Sequence, residues 1–277
     1  MAVSATLMRP HRTARASCAR GGLTLAAALG GAEAAYRLAG QFWGAAAFAM
    51  IFLATVHVAV LAGRRGRGAR GTAADPALTG LIVAASLVPL ERLLVLSAPM
   101  LPFLRLYPNA LWVLPLGIAA VYAYRARWIP LAQPQLLPPP GGNGRQPLAF
   151  QAAMVAAGAG LGVLAAVSIP YAGPHVLVHA DAAKWAGAVL FGLAGGVEEL
   201  AWRGVLQPLA VSAAGPAGVA ASFLASAYVA VAWMGPFAAA PVIALSAVTS
   251  VIVYRTRYLA GAVAAHFLLN LLLLMLR

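Results

Sequence analysis

WAGAVLFGLAGGVEELAWRGVLQPLAV, residues 185–211, is 27 residues long and apolar at both ends, yet it carries Glu198, Glu199 and Arg203 at its centre. Covering the hydrocarbon core of a bilayer takes roughly 20 apolar residues in helix, and a barrel strand takes about ten, so a run of this length reads as a membrane helix. Its central charges are then the anomaly. An ionised side chain at mid-bilayer depth costs at least about 2.5 kcal/mol, which makes each such residue a functional hypothesis by default.

The rest of the chain has the same character. Of 277 residues, 62% are hydrophobic and 9% charged, and mean hydropathy is +0.86. A soluble domain carries about 25% charged residues, so this chain lacks the polar surface to coat a globule in water. Working outward, candidate spans fall near residues 22–39, 42–62, 77–97, 109–125, 148–170, 185–211, 217–234, 237–254 and 258–276. The expected fold is all-α, a polytopic bundle of eight or nine transmembrane helices. The first candidate is the least apolar, with Glu33 and Arg37 inside it; a cleaved signal ending near Ala32-Glu33-Ala34 is the alternative there.

The net charge of +13 raises nucleic acid as a partner. Its distribution argues against that, because Arg9 to Arg20, Arg64 to Arg70, Arg125 with Arg127, and Arg255 with Arg257 are short clusters between apolar runs. With nine helices all four clusters fall on one side, which is the cytoplasmic one. Three regions are expected: residues 1–129, a basic tail and about four spans; residues 130–147, a cytoplasmic Pro/Gly-rich linker; and residues 148–277, a helical core. No fixed-period repeat is evident, which counts against a transporter built of two similar halves.

Two pairs stand out in the core region. Glu199 and Arg203 are spaced i, i+4, as are His266 and Asn270 in AAHFLLNLL, residues 264–272, so each pair projects from one helix face. Glu198 points about 100° away from Glu199, leaving one carboxylate for the arginine and the other free for acid-base work. The structural alternative is a neutralised ion pair on one helix and hydrogen-bonding glue on the other. Glu91 and Arg92, in the third span, either snorkel or pair with one another. Cys18 is the sole cysteine and excludes an internal disulfide. No metal or cofactor is expected, since His266 is the only imidazole of the core spans and zinc recruits several strong ligands. His175 and His179 lie in a polar segment read as an interfacial loop, and His57 reads as a packed polar residue.

The chain resembles the CPBP intramembrane protease family, which includes CAAX-processing endopeptidases and bacterial Abi proteins. Its first motif, Glu-Glu-x-x-x-Arg followed by Gly, is matched by Glu198, Glu199, Arg203 and Gly204, and its last, His-x-x-x-Asn, by His266 and Asn270. The resemblance spans roughly residues 148–276, and SLVPLERLLVLSAPMLP, residues 86–102, looks like a less specific segment of some bacterial members.

That likeness implies roles. Glu198 would be the base that activates water, Glu199 and Arg203 would support it, and His266 and Asn270 would form an oxyanion hole. One motif departs from the family: where Phe-x-x-x-His is usual, this chain has Phe223-Leu-Ala-Ser-Ala227, with Ala227 in place of the histidine that helps to activate the water. The implied function is a glutamate-dependent endopeptidase that cleaves a membrane-associated peptide or protein within membrane lipid. The expected location is multi-pass in a bacterial cytoplasmic membrane. An inactive homologue acting as a scaffold or immunity factor is the alternative, with a proton-coupled transporter more distant.

Overall fold

A computed structural model describes residues 12–68, 81–82, 85–97, 146–169 and 181–276. The candidate span at 109–125, nearly all of the 130–147 linker, and His175 with His179 lie outside the described residues. Among the described residues the regular elements are helices, with no strand. We label them α1 (Arg12–Ala39), α2 (Gln41–Gly68), α3 (Leu87–Ser97), α4 (Gln146–Val167), α5 (Ala182–Glu199), a π-helical turn (Leu200–Leu206), α6 (Gln207–Ala214), α7 (Ala217–Met234), α8 (Pro236–Thr256) and α9 (Ala260–Met275).

Three of these are long and apolar enough to cross a membrane: Gln41–Leu61 within α2, Ala217–Met234 and Pro236–Thr256. Their outer faces carry side chains that a water-soluble protein would bury, among them Leu53, Leu224, Phe237 and Val251, all more than half exposed. Such a surface fits lipid and marks an integral membrane protein. Trp43 and Trp185, in the first turns of α2 and α5, are exposed where an amphipathic ring prefers the interface.

Local chemistry sets the helix ends. Asp181 caps α5 by accepting from the Lys184 backbone N–H at 2.7 Å, which satisfies one donor of the first turn. Between α7 and α8 the backbone turns at Gly235, whose φ of +79° suits a residue without a Cβ, and Pro236 then begins α8 at the position where its missing N–H is harmless.

Small residues determine which helices meet. α9 lies against α4 and α5. A Cβ on Gly158 would strike the Gly261 carbonyl, and one on Gly162 would strike the Ala265 carbonyl, so glycine lets the two backbones touch. Ala166, Ile169, Phe191, Ala265 and Leu269 fill this half of the core. A second cluster, Leu29, Phe48, Val88, Leu96, Trp202 and Leu206, joins α1, α2 and α3 to the π turn. The chemistry described below lies between the two.

Arg92 corrects one expectation. It does not pair with Glu91 but donates through Nε and Nη2 to the two oxygens of Glu33 on α1, at 2.5 and 3.1 Å, and Tyr228 of α7 donates to the same carboxylate at 3.1 Å. Side chains adjacent in a helix diverge by about 100°, so Glu91 and Arg92 serve different neighbours. The first apolar segment is thereby knit to α3 and α7. His57 differs too: it is exposed on α2 rather than packed. Glu33→Ala is expected to lower stability by about 3–5 kcal/mol, because it strands Arg92 without a counter-charge. Unfolding in mixed micelles measures this, and a change below about 1 kcal/mol would show that lipid or water already solvates the arginine.

Candidate active site

The π turn comes first, because it places the charges. Over Leu200–Leu206 the backbone winds wider than an α-helix, and the Gln207 N–H reaches back to the Trp202 carbonyl. Such turns leave α-type hydrogen bonds unmade, and neighbours must take them up. The Trp202 carbonyl also accepts from the Ser222 hydroxyl of α7 at 3.0 Å, a second bond beside the Gln207 N–H. Pro208, lacking an N–H, stands just past the end of the turn.

Around this turn Glu198, Glu199, Trp202 and Arg203 all line a cavity of about 260 Å³. Glu199 and Arg203 are almost fully buried, with Arg203 Nη1 donating to Glu199 Oε1 at 2.9 Å. The second terminal nitrogen, Nη2, donates to the Ser246 carbonyl at 3.1 Å and to the Ser226 hydroxyl at 3.4 Å, and also contacts the Ser246 hydroxyl. Ser226 and Ser246 are bonded to each other at 2.6 Å. Arginine suits this position because its fork of donors can satisfy a carboxylate, a carbonyl and hydroxyls together where no water competes.

His266 bridges the two glutamates. Its Nδ1 lies 3.1 Å from Glu199 Oε1, and its Nε2 lies 3.6 Å from Glu198 Oε2. With ionised Glu199 as acceptor, Nδ1 carries a proton, which fixes the ring and turns Nε2 toward Glu198 and the cavity. Glu199 thus serves both Arg203 and His266, whereas spacing along one helix reveals only the arginine. Asn270, one turn beyond, lines the same cavity and donates one amide N–H to the Phe191 carbonyl at 3.3 Å; among the described residues its other N–H has no partner. All five residues singled out in the sequence are therefore neighbours.

Ala227 is absent from the cavity wall. The face α7 presents is Ser226, Val229, Ala230 and Trp233, spaced i, i+3, i+4 and i+7. The small position on that face is Ala230, three residues beyond the one matched by motif spacing, and Ser226 is its hydroxyl-bearing position. Sequence reasoning passed over Ser246 and read Glu91 only as snorkelling or pairing with Arg92, yet both line the cavity. Their signal was present. Ser246, Thr249 and Ser250 form an i, i+3, i+4 polar stripe in an apolar span, and Glu91 is an ionisable residue in another. Among the described residues no three His, Cys, Asp or Glu side chains gather as a metal site.

Gly195 keeps the two helices of the site in register. A Cβ there would come within 2.6 Å of Asn270 Nδ2 and 2.8 Å of the His266 carbonyl oxygen. Gly195→Ala is expected to push α9 outward, costing about 1–3 kcal/mol and separating His266 from the glutamates. Gly204→Ala, whose Cβ would meet only Leu259 at 3.4 Å, serves as control. Equal stability of the two variants would contradict this tight contact.

Residues 180–272 match the family model described as type II CAAX prenyl endopeptidase Rce1-like. That match agrees with the CPBP resemblance carried by the two motifs, and the Glu-Glu-x-x-x-Arg and His-x-x-x-Asn residues all lie within it. No curated protein and no solved structure matches the chain.

Proposed function

We propose that this chain is an intramembrane endopeptidase in which Glu198 activates water against a peptide carbonyl of a membrane-associated substrate. The observation that carries this reading is the convergence of Glu198, Glu199, Arg203, His266 and Asn270, from two helices, on one cavity. Paired ions that serve only to neutralise one another have no need of a cavity beside them.

The chemistry follows from the geometry. A water beside Glu198 gives its proton to that carboxylate and attacks the carbonyl carbon. Negative charge then develops on the carbonyl oxygen. The Nε2–H of a doubly protonated His266 and the second amide N–H of Asn270 are suited to receive it. Before attack Glu198 and Glu199 are balanced by Arg203 and His266, and once Glu198 takes the proton the oxyanion stands in its place, so the site carries no net charge at either stage. Arg203 and Glu199 act as positioning residues, holding the imidazole through its Nδ1.

The proposed setting is a bundle of eight or nine transmembrane helices with its N-terminus and Pro/Gly-rich linker in the cytoplasm, matching the distribution of the arginine clusters. A second reading, a catalytically inactive homologue that acts as a scaffold, is favoured by α7, which brings Ser226, Val229, Ala230 and Trp233 to the cavity but no histidine to help hold water. The test that separates them uses purified protein in lipid nanodiscs with a quenched-fluorescent peptide library. The enzyme reading predicts cleavage at defined bonds. Peptide binding without any product favours the scaffold.

A further inference from the structure

We propose that Glu91 is a further catalytic residue of the same cavity, the acid that protonates the leaving amine; this rests on the endopeptidase reading above. Peptide hydrolysis needs two proton transfers, one from the attacking water and one to the departing nitrogen, because an unprotonated amide nitrogen is a poor leaving group. Glu198, once protonated, serves the second only if it also reaches the nitrogen, whereas a neutral carboxyl on another wall of the cavity can serve it without that constraint.

Glu91 is placed for the second. It is 6% exposed, and with Leu94 and Val95 it forms the face that α3 turns to the cavity, within reach of the charge on Glu198. No hydrogen bond or ion pair engages its carboxyl among the described residues. Among the described residues the cations near it are committed: Arg203 and His266 to Glu199, and Arg92, one residue along, to Glu33. A buried carboxyl without a counter-charge is least costly as the neutral acid, which is the form that donates a proton. Its position on α3, a different element from Glu198 and His266, adds a further wall from which the scissile bond can be addressed.

The steps balance. Glu198 takes a proton from water as the new C–O bond forms. When the tetrahedral intermediate collapses, the C–N bond breaks and Glu91 gives its proton to the nitrogen, releasing an acid and an amine. The proton held by Glu198 then passes to the Glu91 carboxylate across the cavity, restoring both groups. Glu199, Arg203 and His266, which face the same space, stay in their ionised forms throughout.

The test compares two versions of the best-cleaved library peptide: the amide itself and the depsipeptide with an ester at the scissile bond. An alkoxide leaves with much less help than an amine. Glu91→Gln is expected to lower kcat on the amide about 100-fold or more with KM within about twofold, and to lower kcat on the ester less than about fivefold. Retained ester hydrolysis also reports an intact fold. Glu91→Asp, which keeps the acid, should recover amide cleavage at least about tenfold over Glu91→Gln. Equal losses on both substrates, no recovery with aspartate, or unimpaired amide cleavage by Glu91→Gln would each overturn the proposal. Wild-type protein that hydrolyses neither substrate would instead overturn the endopeptidase reading, and this assignment with it.

Discussion

Glu198→Gln is expected to fold normally and to lose cleavage by about 10²- to 10⁴-fold in kcat/KM. Glutamine matches the size of glutamate, so packing around the cavity does not change. Glu199 remains as the counter-charge to Arg203, and His266 can shed its second proton once Glu198 no longer faces it, so the loss of stability should be small. The amide cannot accept the proton of the attacking water, and His266 Nε2, 3.6 Å from the carboxylate, is arranged to donate rather than to replace the base. Thermal unfolding and cleavage of the same library peptide, measured side by side, check both halves. Cleavage by Glu198→Gln at the wild-type rate would remove Glu198 from the mechanism.

Arg203→Met is expected to lower stability by about 3–5 kcal/mol. The side chain is 1% exposed and supplies the counter-charge for Glu199 as well as donors to the paired serines. Removing it leaves a carboxylate buried with only His266 opposite. Arg203→Met combined with Glu199→Met should regain most of the lost stability, because apolar residues of similar volume can replace a buried ion pair. The double variant should remain inactive, since His266 has then lost the acceptor that fixes its ring. A double-mutant cycle on unfolding in mixed micelles measures the coupling. Additive effects would show that the pair is not the unit described.

How far the sequence carries the reader depends on which interactions are local. The Glu199–Arg203 pair follows from i, i+4 spacing alone, as does the shared face of His266 and Asn270. That the fold is helical follows from runs of apolar residues too long for barrel strands. The limits of α7 are likewise visible, because Gly215-Pro216 and Gly235-Pro236 bracket it. What spacing cannot give is contact between helices. Glu33 meets Arg92 across 59 positions, and nothing on either helix names the other; an adjacent Glu91 looks the better partner until the 100° rotation per residue is respected.

The π turn shows the same limit within one segment. The wider winding over Leu200–Leu206 brings the Trp202 carbonyl against Ser222 of a different helix, a contact that no count along residues 185–211 predicts. Ala227 was matched to its motif by distance along the chain, but the face that borders the cavity is decided by how α7 rolls against the π turn. That roll brings Ser226 and Ala230 forward. Glu91 was legible as an anomaly, a carboxyl in an apolar run, and became a candidate with a role only once α3 was seen to form the opposite wall.

The central claim is that Glu198 acts as a base on water rather than as a nucleophile on the peptide. Single-turnover cleavage in H₂¹⁸O, with enzyme in excess over peptide and the product read by mass spectrometry, tests it most directly. The account predicts one ¹⁸O atom in the new C-terminal carboxylate from the first turnover, with no label entering Glu198. A first-turnover product whose carboxylate holds only ¹⁶O, with ¹⁸O found in Glu198, would mean that the glutamate attacks the carbonyl itself and would contradict the account.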